Sequence, residues 1–244
     1  MRPVLETFGN AGISEVITYG LIINFGIYFC SLGLYSALNY FPGKERLGEQ
    51  QPVLRSDVIL SLVTVFCNTL VFVFGVFLWK RGFIVLSEGQ SVFRIVLEVV
   101  FLTLLMDLLM YVFHRSVHFT TYFRKLHQRH HEHESTNLLS LFVLHPVESI
   151  GFGLMMLGVL VFFPLSATGI SIYLVINSLW GTVGHLNHTV LPQSWLKIAR
   201  KGCLCTSEFH YLHHQHPGCN FGFYTSIWDR VFKTNYSSLQ ENNN

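Results

Sequence analysis

Residues 58–79 form a run of 22 positions without a single charged side chain. As a helix rising about 1.5 Å per residue, the run reaches about 33 Å, enough to cross a hydrocarbon core of about 30 Å. Lipid offers no hydrogen bonds to the backbone, so a single span must satisfy its own N–H and C=O groups as a helix. Trp79, Lys80 and Arg81 close the run as an interfacial anchor. Residues 13–38 repeat the pattern with Glu15 and Asn24 as the main polar interruptions, and residues 95–113 repeat it with Glu98 and Asp107. Between the first two runs, FPGKERLGEQQP carries the Pro, Gly and charges of a polar loop.

Composition points the same way. Only 12% of the 244 residues are charged and half are hydrophobic, against roughly 25% charged in soluble domains. An integral membrane protein is the expectation. A formal net charge of +2 gives no ground for nucleic-acid binding. The five cysteines contain no C-x-x-C pair and suggest no disulfide framework, as expected for a site facing a reducing compartment.

Residues 138–163 begin with His145, Pro146 and Glu148 and then turn apolar; Pro164 interrupts, and residues 165–183 are apolar again. The spacing predicts a helical hairpin over about 138–183. The purely apolar part of its first arm, 150–163, is short for a full crossing, so both ends return to one side. That places His185 and His188 on the face that follows residue 113. Arg124, Lys125, Arg129, Lys197, Arg200 and Lys201 also lie on this side, and their excess predicts that it is cytosolic. Residues 237–244, SSLQENNN, read as a disordered tail.

All thirteen histidines follow residue 113. His114 and His118 are four apart at the end of the third apolar run. His127, His130 and His131 form H-x-x-H-H, and His210, His213 and His214 repeat it. Helix positions i, i+3 and i+4 share a face, so each group is expected to aim its imidazoles one way. A closed structural zinc site uses four ligands; these clusters are large enough for two ions. Imidazole suits iron, zinc, copper and nickel alike. H-E-x-x-H is absent, which removes the metalloprotease reading, and Glu-x-x-His is absent, which removes a ferritin-like di-iron bundle. Asp107 precedes His114 by two helical turns and is expected to orient a ligand imidazole from behind. His133 is expected to point away from its cluster into solvent, and His145, before proline, to cap a helix. An all-imidazole pair of ions at a membrane surface suits oxygen activation on lipid C–H bonds and calls for a redox metal, iron. The alternative is a catalytically inactive metal-binding membrane protein or a metal transporter. Transporters place ligands near the bilayer midplane, whereas these clusters fall at helix ends and in loops.

The segments Asp107-x-x-x-Tyr-x-x-His-Arg-x-x-His, Leu-His-Gln-Arg-His-His (126–131), His-Pro-Val-Glu (145–148), Asn-x-x-Trp-Gly-x-x-x-His (177–185), His-x-x-His-His (210–214) and the ending at 220–234 together resemble the fatty acid hydroxylase and sterol desaturase superfamily. The resemblance implies an all-α, multi-pass transmembrane bundle with a cytosol-facing, histidine-rich helical cap holding a dimetal site. It implies scaffold helices in residues 1–106 and a catalytic region in 107–236. Carried over position by position, the ligands fall on His114, His118, His127, His130, His131, His185, His188, His210, His213 and His214. The cofactors implied are two iron ions, replaceable by zinc in purified protein, and O₂. The partners implied are a membrane lipid of sterol or fatty acyl class, and a separate electron-transfer protein with its NAD(P)H-dependent reductase. The implied location is the endoplasmic reticulum in a eukaryote or the inner membrane in a bacterium. Hydroxylation and desaturation both remain open.

Overall fold

The three apolar runs become the three longest helices of a computed structural model that describes residues 2–40, 45–87 and 91–236. Arg2–Asn10 (α1) leads into Ile13–Tyr40 (α2), followed by Arg55–Lys80 (α3) and Val92–Phe119 (α4). α2, α3 and α4 are each long and apolar enough to cross a membrane. Thr121–His131 (α5), Pro146–Phe162 (α6), Ala167–Gly184 (α7), Gln193–Lys201 (α8), Ser207–Gln215 (α9) and Ile227–Val231 (α10) follow. Among the described residues no strand forms, only isolated bridges. The tail at 237–244 lies outside the described residues.

Large apolar side chains point outward as well as inward. Ile22 and Leu70 are 64% exposed, and Phe29 and Ile59 62%; such a surface is the one lipid covers. Inside, Leu102 and Met106 of α4 pack with Leu157 and Leu160 of α6 and Tyr173 of α7. α3 and α6 approach each other across glycines: a Cβ on Gly153 would stand 2.6 Å from Val71, and one on Gly75 2.9 Å from Leu157. Small residues of this kind let membrane helices come close enough to gain dispersion contact where lipid gives no hydrophobic drive.

The two ends of the bundle differ. At one end the Ser87 amide donates to the Leu165 carbonyl (2.9 Å), and Glu98 accepts from the amide (3.0 Å) and hydroxyl of Ser166 and from Arg94 (3.1 Å). A carboxylate in an apolar helix is costly unless paired, and here it fastens the α6–α7 turn. At the other end, the segment between α2 and α3 meets the chain beyond α7, through Leu47 N–H to Asn187 O (2.8 Å) and Thr189 N–H to Glu45 O (3.0 Å). The histidines gather at this second end. The hairpin therefore opens toward them on both arms, as expected, but its turn reaches the connection between α3 and α4. Its arms, of 17 and 18 residues, are shorter than the three long helices, and α6 starts at Pro146, ahead of the purely apolar stretch. The His145 ring accepts from the Val147 amide (3.3 Å) and caps that helix.

Candidate metal centre

α4 runs past the apolar stretch to Phe119, and its last two turns carry His114 and His118. A bend at Thr120 starts α5, which brings His127, His130 and His131 back over them. His185 stands at the C-cap of α7, and α9 supplies His210, His213 and His214. Side-chain nitrogens from these elements converge into two groups, each with its atoms within 4.8 Å of one another: His114, His118, His127, His131 and His213 in one, and His130, His185, His210 and His214 in the other.

The partition follows helix geometry in a way the spacing alone does not announce. His127 and His131 share one group while His130 joins the other; His210 and His214 share one while His213 crosses over. On a helix, i and i+4 lie about 40° apart, while i+3 and i+4 diverge by about 100°. Each H-x-x-H-H thus sends its outer pair to one group and its middle histidine to the other. The expectation of one common direction per motif is corrected accordingly.

The backs of several rings are fixed. The Nδ1–H of His114 donates to Phe221 O (3.0 Å), that of His185 to Gly181 O (2.8 Å) and that of His213 to Cys219 O (2.6 Å). The Nδ1–H of His127 donates to the buried carboxylate of Glu148. A carbonyl can only accept, so these bonds set the tautomer that leaves Nε2 as a lone pair. The lone pairs of His114 and His127 then face each other at 3.1 Å, where two neutral acceptors gain nothing by themselves. Other Nε2 atoms come equally close: His118 to His131 at 3.2 Å, His210 to His185 at 3.1 Å and to His214 at 3.0 Å, and His185 to His130 at 3.5 Å. Nitrogens bound at about 2.0–2.1 Å to one ion are about 3.0 to 3.4 Å apart when they are adjacent ligands, so the observed spacing fits a metal. Nε2 of His213 and Nδ1 of His130, His131 and His214 are buried without any hydrogen-bond partner, a state native interiors avoid. Burial holds the His131 pKa down to about 3 and pushes His127, His130, His210, His213 and His214 well below the ordinary value, with neighbouring histidines adding to the effect. All are neutral at physiological pH, the form that ligates.

Three expectations change. His188 belongs to neither group. It lies four residues beyond the end of α7, where helical spacing no longer pairs it with His185; its carbonyl accepts from Ser207 Oγ (2.9 Å) and its backbone bridges Arg46. Asp107 orients no ligand imidazole. The C-terminal segment folds back across α4, and the carboxylate accepts from Tyr224 N–H (2.9 Å), Thr225 N–H (3.1 Å), the Thr225 hydroxyl (2.5 Å) and Trp228 Nε1–H (3.1 Å). Glu148 holds the place assigned to it; its signal in the sequence was a carboxylate two residues after His145-Pro146, inside an otherwise apolar arm. His133 is not solvated but buried, bonded to Ser140 Oγ (2.7 Å) and facing Asp57 (3.3 Å). Asp57 also pairs with Arg129, so α3 grips both ends of the turn that presents His130 and His131.

The fatty acid hydroxylase family model matches residues 99–234, more than half of the chain. The chain belongs to the fatty acid hydroxylase family. Relatives of this family member include the very-long-chain aldehyde decarbonylase GL1-4 of Oryza sativa subsp. indica, 27% identical over 55% of this chain and 23% of the relative. The Delta(7)-sterol 5(6)-desaturase of Leptosphaeria maculans is 24% identical over 55% of this chain and 36% of the relative. Human cholesterol 25-hydroxylase is 29% identical over 67% of this chain and 61% of the relative. The chain thus spans about a quarter of the first of these proteins and less than two thirds of the others. No solved structure is a significant match. The matched region of this fatty acid hydroxylase family member contains all nine grouped histidines and Glu148.

Proposed function

We propose that this protein is a membrane-bound, non-haem di-iron oxidoreductase that uses O₂ to hydroxylate or desaturate a lipid C–H bond, the lipid being of sterol or fatty acyl class. The observation that carries the reading is the sorting of nine neutral imidazoles, five buried and four half-buried, into two adjacent groups with the spacing of shared ligands. His114, His118, His127, His131 and His213 would hold one ion, and His130, His185, His210 and His214 the other. When bound, an iron pair supplies the redox chemistry that activates O₂ toward a C–H bond.

The chain's own residues prepare the site. Glu148 and the carbonyls of Phe221, Gly181 and Cys219 hold the imidazoles in the ligating tautomer. The 220–234 segment, fastened by Asp107 and by Asp229, which accepts from the amides of Phe221 (2.9 Å) and Gly222 (2.8 Å), packs Phe221 against His114, His118 and His213 and keeps water from them. Residues 107–236 would be the catalytic region, and 1–106 the scaffold whose Asp57 steadies α5. Electrons would come from a separate carrier protein and its NAD(P)H-dependent reductase. The basic residues around the histidines argue for a cytosolic face, on the endoplasmic reticulum or a bacterial inner membrane. Transport of metal is disfavoured because the groups cap one end of the bundle and do not sit midway along it.

Lipidomics of cells with and without the gene tests the reading, seeking a product that has gained one oxygen or lost two hydrogens. His130→Ala and His213→Ala should each abolish that product while the protein still inserts in the membrane. Product formation by a metal-depleted variant would overturn it.

A further inference from the structure

Trp195 and Ile198 stand three apart on α8 and are each 60% exposed. At about 100° per residue the helix presents three faces. Leu196 and Ala199 are buried against the protein, Lys197 and Lys201 lie on an exposed polar side, and Trp195 and Ile198 fill the arc between the two. This order of faces is the one a helix needs when it lies in the plane of a bilayer surface beside its own bundle. The apolar exposure continues on α10, where Ile227 and Val231 are four apart and Val231 is 63% exposed. The Arg230 guanidinium ties α10 to α8 by donating to the Arg200 carbonyl. On its other side Phe232 stacks on Tyr111 of α4 (5.6 Å), and the Arg115 guanidinium lies over both Phe232 (5.5 Å) and Phe119 (5.4 Å). Phe119, 70% exposed, shares a face with Val112 and Phe101, the outward stripe of a helix long and apolar enough to cross a membrane. The patch therefore runs on from a surface that lipid covers. Its charge has one sign: Lys197, Lys201 and Lys233 are exposed, while the acids of the same stretch are occupied, Glu208 by Arg200 (2.5 Å) and Asp229 by the amides of Phe221 and Gly222.

We propose that α8 and α10 form an interfacial anchor, with Trp195, Ile198 and Val231 sunk into the boundary between headgroups and acyl chains and the lysines binding anionic phospholipid heads. Tryptophan favours that depth because its ring is apolar and its N–H is polar, and each cation near an anionic leaflet adds attraction. The proposal goes beyond the metal centre and stands whatever that centre catalyses. It does bear on the centre's architecture. α10 belongs to the segment that lays Phe221 against His114, His118 and His213, so the anchor ties the cover of the five-histidine group to the membrane surface.

The test uses the full-length protein in nanodiscs that mix phosphatidylcholine with phosphatidylglycerol, one or the other brominated high on its acyl chains. The emission lost on Trp195→Phe isolates the Trp195 signal, since the other tryptophans stay in place. That signal should be quenched by brominated lipid and shielded from iodide in the water. Brominated phosphatidylglycerol should quench at lower content than brominated phosphatidylcholine, by about fivefold for each cation engaged. Lys197→Gln with Lys201→Gln should lower that preference by the same factor per charge removed and leave quenching by phosphatidylcholine in place. Val231→Trp in the Trp195→Phe background should regain quenching by brominated lipid. Quenching of Trp195 by iodide and not by brominated lipid would put α8 in water, its apolar face open to a soluble partner, and overturn the proposal. Shielding from both quenchers, in discs holding two copies of the chain, would make the face a contact between copies and overturn it too. Equal quenching by the two lipids in the wild type would overturn the assignment of anionic headgroups.

Discussion

Glu148→Ala is the most informative perturbation of the metal centre. The carboxylate is 2% exposed and accepts from His127 Nδ1–H and, more weakly, from the His145 amide (3.3 Å). Removing it strands a buried N–H, at a cost of about 1–3 kcal/mol. Loss of a carboxylate behind a ligand imidazole lowers metal affinity by about 10- to 100-fold, or about 1.4–2.7 kcal/mol. His127 belongs to the five-histidine group alone, so the loss should be selective. Under chelator titration followed by elemental analysis, the variant should release one ion at about 10- to 100-fold lower chelator than wild type and keep the other. Glu148→Gln retains an oxygen that accepts from Nδ1–H and should fall between. Simultaneous release of both ions, or wild-type retention by the alanine variant, would refute the assignment of Glu148 as the group that orients His127.

Asp57→Ala removes a fully buried carboxylate from Arg129, His133 and Asn137. Breaking a buried ion pair typically costs about 3–5 kcal/mol, and with Arg129 only partly covered the lower end is expected, read as a fall in the melting temperature of detergent-solubilised protein; an unchanged melt would refute the clamp on α5. Gly153→Ala places a methyl 2.6 Å from Val71 and should destabilise by about 1–3 kcal/mol through overpacking, whereas Gly158→Ala, whose methyl meets nothing within 4 Å, should be neutral or slightly favourable in the same melt. The buried histidines also fix a pH dependence. Their folded-state pKa values lie below those of the unfolded chain, so the unfolded chain takes up protons first and stability is lost as pH falls. For His131 the window runs from 6.5 down to about 3, at about 1.4 kcal/mol per pH unit for each proton. Melts of chelator-stripped protein should therefore fall on acidification below pH 6.5, and a rise would contradict the burial of neutral imidazoles.

Helix positions were legible in the sequence because lipid leaves little choice. The uncharged run at 58–79 became Arg55–Lys80, and the other two runs became α2 and α4, each longer than its apolar core because polar ends continue the helix beyond the hydrocarbon. The histidines that gather were nearly as legible, since H-x-x-H-H and H-x-x-x-H are local patterns. His188 was misplaced by the same local rule, applied one turn past the end of α7. Glu148 stands where Asp107 was expected, behind a grouped imidazole, because the partner of a carboxylate is decided by whichever segment folds against it. For Asp107 that segment is 224–228, more than a hundred residues away; for Glu148 it is His127. His133 was expected in water because it follows the cluster by two residues and so points away from its face, and α3 covers that side with Asp57.

The amino-acid sequence by itself determined an all-helical membrane chain with imidazoles concentrated at the ends of its second half. Both properties follow from short-range physics: the transfer cost of charge and backbone into hydrocarbon, and the 3.6-residue period that aligns side chains. Only the tertiary structure decided which imidazoles fall in which group and which carboxylate stands behind them. It alone brought Phe232, just past α10, onto Tyr111 of α4. Those are contacts between residues tens to hundreds of positions apart, set by how helices pack, and no local pattern encodes them.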